Sequence, residues 1–172
     1  MQPATTNPRT RFILTLVGLL LLGIAVPAWP VDSPEERATL KGIKAIVVAV
    51  DVNPEAEPHG LSKDQIQTDV ELRLRKAGIK VVSLLSEGGS SFLSVAVAMV
   101  KSSDGSVYAY SIQLAFNQLT VLMRDPRVPA VATTWSTSYV GLAGFYRVRE
   151  VRNILADQVD RFINAYLEQN PK

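Results

Sequence analysis

The chain has no cysteine and a single histidine, His59, in 172 residues. Without cysteine there is no disulfide and no residue to carry a lipid after an export signal is cut. With one histidine, the usual base beside a serine or threonine nucleophile is almost missing. The stretch "EGGSSF" has the glycines of a nucleophile turn but not the G-x-S-x-G order. These absences argue against hydrolytic chemistry. The chain is expected to be no enzyme and to need no cofactor.

A true excess of positive charge is also missing. The whole chain carries +2 and a pI near 9.0, but Arg9 and Arg11 lie in the first 28 residues. The rest has 16 basic and 16 acidic residues and no net charge. The pI is therefore no footprint of nucleic-acid binding, and no nucleic-acid partner is expected.

What is present first is an address. Arg9 and Arg11 precede "FILTLVGLLLLGIAV" (Phe12–Val26), followed by Pro27, Ala28 and Trp29. A basic start, a short apolar core and small residues at its end describe a secretory signal peptide. Val26 and Ala28 occupy the positions three and one before a cut after Ala28. The competing reading is an uncleaved anchor, because Phe12 to Trp29 is just long enough to span a bilayer. Residues 1–28 are thus read as a signal peptide, 29–41 as a polar lead-in and 42–169 as one domain. Its size suffices for one full core. The expected location is periplasmic or secreted, with membrane contact only if the leader remains.

Along the domain, "IKAIVVAVDV" (43–52) reads as a covered strand and "NPEAEPHG" (53–60) as a loop. A helix follows over about 63–77. Ser62 is its N-cap, with Gln65 placed for a capping box and Leu61 and Ile66 for a hydrophobic staple. Gly78 and Ile79 fit a Schellman stop. Ile66, Val70, Leu74 and Ala77 form the apolar stripe, with Arg73 near its centre and Asp69 at its margin. Asp69 and Arg73, one turn apart, are read as a partly buried strut. Strands are expected at 79–85, 92–101, 107–123 and 130–140. A glycine-serine loop spans 86–91, Asp104-Gly105 marks a tight turn and "RDPRVP" (124–129) a further one. A last helix spans about 146–168 and stops at Asn170-Pro171. The expected class is α+β: a two-layer sandwich in the order β-α-β-β-β-β-α. Its sheet is mainly antiparallel, with both helices on one face.

Three sets of residues compete for a binding role. Arg124 and Arg127 flank a turn, while Arg147, Arg149 and Arg152 crowd the start of the last helix, where cations oppose the dipole and invite an anionic partner. Asp51, Asn53, Glu55, Glu57 and His59 alternate in the first loop. A calcium loop would want glycine where Ala56 stands, so they are only weak metal candidates and no bound metal is expected. Trp135 and Tyr139 share one strand face and make a docking patch if that face is outward, or core if it is inward. Ser111, Gln113, Asn117, Thr133, Thr137 and Ser138 are placed on a wet sheet face.

The segments "QIQTDVELRLRKAGIKVV" and "VREVRNILADQVDRFINAYL", with the export signal and element order, resemble small exported bacterial domains of the TolB amino-terminal, CsgG, LpoB and LptE kind. The helix whose "LRKAG" end feeds a strand carries the likeness over about residues 62–84. Conserved exported proteins that carry no role to transfer are nearer still. The resemblance implies a non-enzymatic part of an envelope assembly with a protein partner. The lipid-site cysteine of LpoB, CsgG and LptE is missing here. The alternative is a periplasmic carrier of a small molecule or ion.

Overall fold

The computed structural model describes residues 32–83 and 91–171. The apolar run, the cut after Ala28, the end of the 79–85 strand and loop residues 86–90 lie outside them.

The described elements are α1 (Pro34–Ala38), β1 (Val47–Val52), α2 (Lys63–Lys76), β2 (Ser91–Lys101), β3 (Val107–Leu122), β4 (Asp125–Gly144) and α3 (Val151–Gln169). Short 3-10 turns occupy Glu57–His59 and Phe145–Glu150. The strands form one sheet in the order β1-β2-β3-β4. β1 and β2 are parallel, joined through α2, and the other neighbours are antiparallel. The α+β sandwich read from the sequence is the observed architecture.

Strict alternation builds it. Leu93, Val95, Val97 and Met99 of β2 and Tyr108, Tyr110, Ile112, Leu114 and Phe116 of β3 turn to the same side. Ile66, Val70 and Leu74 of α2 and Val151, Leu155, Val159 and Phe162 of α3 meet them in one core. α2 ends as its sequence requires. Gly78 takes φ +85°, Ile79 N–H reaches Leu74 C=O (3.0 Å) and Gly78 N–H reaches Arg75 C=O (3.0 Å). That is the complete Schellman pattern.

Several expectations need correction. Ser62 is the N-cap of α2, but its hydroxyl caps nothing and the box with Gln65 does not form. The capping box belongs to α1, where Ser33 and Glu36 bond reciprocally. Among the described residues, the 79–85 strand reduces to one parallel bridge between Val81 and Ile46. The turn between β3 and β4 is only Met123-Arg124, so Pro126 and Pro129 fall inside β4. Proline is tolerated there because β4 is an edge strand and one side of its backbone needs no sheet donor. The last helix begins with a 3-10 turn and becomes α-helical only at Val151.

The largest correction concerns the polar lead-in, which is part of the fold. Leu40 is fully buried. Asp32, at φ +67°, accepts from Trp135 Nε1 (2.7 Å) and Arg37 Nε (2.8 Å). Asn170 closes the other end, donating to Leu40 C=O (2.9 Å) and accepting from Gly42 N–H (2.7 Å). Polarity hid this because the segment contributes a single apolar side chain and anchors itself by hydrogen bonds. Leu40→Ala should therefore lower stability by about 2–5 kcal/mol in denaturant unfolding. A loss within the scatter of surface substitutions would return residues 32–41 to the status of a tether.

The β2–β3 turn gives a second expectation. Asp104 accepts from Ser102 Oγ (2.6 Å), from Ser106 N–H (3.1 Å) and from Ser106 Oγ (2.8 Å), and Gly105 takes φ +72°. These donors lower the Asp104 carboxyl to about 2. A carboxyl held below its unfolded value stabilises the fold above that unfolded value, near pH 4, and the contribution is lost as pH falls through about 2. The stability difference between the wild type and Asp104→Asn should be constant from pH 8 to pH 5 and close towards pH 2. A difference that does not vary with pH would overturn the assignment.

Candidate binding surfaces

The sequence placed Asp69 and Arg73 on one helix face, and tertiary structure separates them. Each reaches across to α3. Arg152 Nε donates to Asp69 Oδ2 (2.8 Å), and Arg73 Nη1 donates to Asp160 Oδ1 (3.0 Å). The two bridges run in the same order along both helices, so α2 and α3 lie side by side in the same direction. Between them is a groove of about 380 Å³ with Val70, Leu155 and Val159 in its lining and Arg73, Lys76 and Arg152 as its cations. Asp69, Arg73, Arg152 and Asp160 are strut members at 40–51% exposure, but Asp69 and Arg73 brace α3 and not each other as expected. Water screens such pairs.

The arginine cluster disperses. Arg147 folds back on Glu150 (3.0 Å) and Arg152 is held by Asp69. Arg127 turns onto Asp125 of its own hairpin end (2.9 Å) and holds that carboxyl below the usual range. Arg124 stands exposed at the hairpin tip. Arg149 faces a cleft of about 630 Å³ shared with Pro58, His59, Gly60, Tyr146 and Val148. His59 and Arg149, 90 residues apart, thus become neighbours, a juxtaposition that no sequence spacing signals.

The acidic loop does not converge. Asn53 acts as backbone glue, donating to Met99 C=O (2.7 Å) and accepting from Met99 N–H (3.0 Å). His59 lies edge-on against Tyr108, with ring centroids 4.7 Å apart. Asp51 projects from β1, while Glu55 and Glu57 are exposed. No group of three metal-ligating side chains forms among the described residues.

The strand face shared by Trp135 and Tyr139 is the inner one. Trp135 is fully buried, at 5.1 Å from the Phe162 ring. Thr137, read as part of the wet face, is also inside and donates to Gln158 (2.8 Å). Tyr139 sits at the sheet margin, stacked on Tyr110 at 6.0 Å. Burial raises the Tyr110 hydroxyl pKa, with a smaller push from Tyr139.

The opposite sheet face is open among the described residues. Register sets Ala49, Ser94, Ala115 and Ser136 in one row and Asp51, Ala96, Gln113 and Ser138 in the next. Beyond these come Ala98, Ser111 and Val140, then Val100, Ala109 and Leu142. Among the described residues, Asp51 is the one charged side chain that register places on this face between Val47 and Val121. Asn117 links three strands there, donating to Ser94 Oγ (3.0 Å) and accepting from Thr133 Oγ1 (2.8 Å). These three side chains satisfy one another, while Asp51, Ser111, Gln113, Ser136 and Ser138 lie among alanines and valines on the same face. Val100, Val140 and Leu142 at one end, and Leu119, Val121 and Val131 at the other, are all more than half exposed. The sequence showed the alternation, but not the apolar character of what it left outside.

No protein-family model matches the chain, and no curated protein matches it. Among solved structures it is similar to a PelC dodecamer from Paraburkholderia phytofirmans, at 14% identity and a TM-score of 0.41, covering 73% of this chain and 87% of that one. It is also similar to a putative neuraminyllactose-binding hemagglutinin homolog from Helicobacter pylori, at 14% identity and a TM-score of 0.41, covering 85% and 89%.

The helix bridges yield a direct test. Double-mutant cycles for Asp69 with Arg152 and for Arg73 with Asp160 should each give a coupling of about 0.2–1 kcal/mol. Both couplings should shrink in about 0.5 M salt. A coupling of several kcal/mol that salt leaves unchanged would show that water does not reach these pairs.

Proposed function

We propose that this chain is an exported, non-enzymatic domain that binds a protein partner of the cell envelope in an accessory or assembly role. In this reading the first 28 residues direct export and are removed. The observation that carries it is the open sheet face. Solvated faces of antiparallel sheets usually alternate to polar, charged side chains. This one is small-residued and nearly uncharged, with bulky apolar groups at both ends. Depletion of charge is the compositional mark of an interface centre, and contiguous exposed apolar surface marks association. The partner it fits is a protein presenting its own uncharged, apolar patch, because a charged one would be desolvated without compensation.

A second reading rests on the His59–Arg149 cleft, whose cation and aromatic rings suit a small anionic ligand. A ligand that binds only the folded state raises its apparent stability, so a thermal-shift series with inorganic phosphate and simple carboxylates reads it out.

Photo-crosslinking from position 98 in intact cells tests the principal reading. One envelope protein should be captured, and the purified pair should bind in vitro. The double variant Ala98→Arg/Ala109→Arg should weaken that binding at least tenfold while leaving the circular dichroism unchanged. Binding that is indifferent to both arginines would remove the open face from the interface.

A further inference from the structure

β4 is the outer strand of the sheet, and its two halves are treated differently. The half near the hairpin carries Pro126 and Pro129 and an irregularity opposite Phe116 and Asn117. There Thr39 Oγ1 also donates to Thr134 C=O (3.2 Å), so the α1 segment covers the edge. Prolines, bulges and covering segments are the usual protections of a strand edge. Among the described residues, none of these protects residues 136–144. They hold no proline and no lysine, and no described strand pairs with their outer side. The sequence from Val128 to Tyr146 contains no charged residue at all. Yet every second residue of an edge strand aims its N–H and C=O outward. Val140 and Leu142, 78% and 75% exposed, lie on this segment.

We infer that residues 136–144 pair antiparallel with the same residues of a second copy of this chain, about a twofold axis at Val140. The partner is the chain itself for two reasons. A twofold axis sets residues near it against their own kind, so a charge there would face a like charge, and this segment has none. Side-chain sizes are also self-complementary in that register. Tyr139 falls opposite Gly141 of the second copy, Ser138 opposite Leu142, and Thr137 opposite Ala143, so that on both faces large meets small. Gly141 matters here because Tyr110 already lies over it, and a Cβ at that position would sit 2.6 Å from the Tyr110 hydroxyl. Pairing would bring the stacked Tyr110 and Tyr139 of each copy together across the axis.

The product is a continuous eight-stranded sheet. Both helix layers lie on one side, and the two open faces join on the other. The paired edge is about 30 Å long and adds about eight to ten hydrogen bonds. An interface built on one strand pair is small, so association should be reversible and micromolar. The contact uses the edge and not the open face, and does not depend on the function proposed above.

The mature chain without its leader, residues 29–172, provides the test. Sedimentation equilibrium should show a monomer–dimer equilibrium. Val140→Lys, which sets two charges on the axis, should weaken it at least tenfold. The chain has no cysteine, so Val140→Cys introduces a single thiol, and mild oxidation should convert it to a disulfide-linked dimer. Facing Cα atoms of an antiparallel pair lie about 4.5–5.5 Å apart, within disulfide reach. Ala98→Cys, on the open face, should stay monomeric under the same oxidation. The inference fails if the wild type is monomeric at several hundred micromolar, or if Val140→Cys does not crosslink. It fails equally if Ala98→Cys crosslinks instead, which would place the contact on the open face. Should Val140→Lys not fold, the cysteine pair still decides. Ala98→Arg/Ala109→Arg should keep the dimer, which separates this outcome from the partner-binding test.

Discussion

The fold turns on one aromatic side chain. Phe162 of α3 stands among Trp135 of β4, Phe116 of β3 and Tyr166 of its own helix, with ring centroids 5.1–6.4 Å away. Each neighbour fastens something further. Trp135 donates to Asp32 and so holds the start of the described chain. Tyr166 donates to Ile43 C=O (2.7 Å) and holds the approach to β1. Phe116 marks where the β3–β4 register shifts. Aromatic groups bury large areas in fixed geometry, so this contact sets where α3 lies on the sheet. The bridges to α2 follow from that placement.

With α2 and α3 committed to one side, the second side of the sheet is, among the described residues, left to the strands alone. Its outward residues answer to solubility and partners, not to packing. They could have been lysine and glutamate. Instead most are alanine, serine and valine, with hydrogen bonds among Ser94, Asn117 and Thr133. Among the described residues one face of this sheet is covered and the other, low in charge, is open, and the 136–144 edge is equally uncharged. The proposed partner surface and the proposed self-pairing both follow from this single asymmetry.

Much of this was legible in the sequence, where local rules and tertiary needs agree. Gly78 and Ile79 stop α2 as their order dictates, because a left-handed glycine followed by an apolar residue leaves few other solutions. The β3 alternation from Tyr108 to Phe116 named the buried face correctly. Legibility failed where a residue has two uses. Ser62 had the spacing for a capping box, but spacing does not oblige a side chain to bond. Thr137 looked like surface until Gln158 met it from α3. Asp69 and Arg73 had ideal helical spacing for one another, and each found a partner on the other helix.

By itself, the sequence determined where the two long helices and most of the long strands form and which side of β3 is apolar, because 3.6- and 2-residue periodicities are local properties of the chain. Only the tertiary structure decided that the segment at 32–41 places Leu40 in the core, that His59 and Arg149 line one cleft, and that the five candidate arginines go separate ways. Those outcomes depend on which surfaces arrive opposite one another once the helices dock, and no spacing along the chain records that.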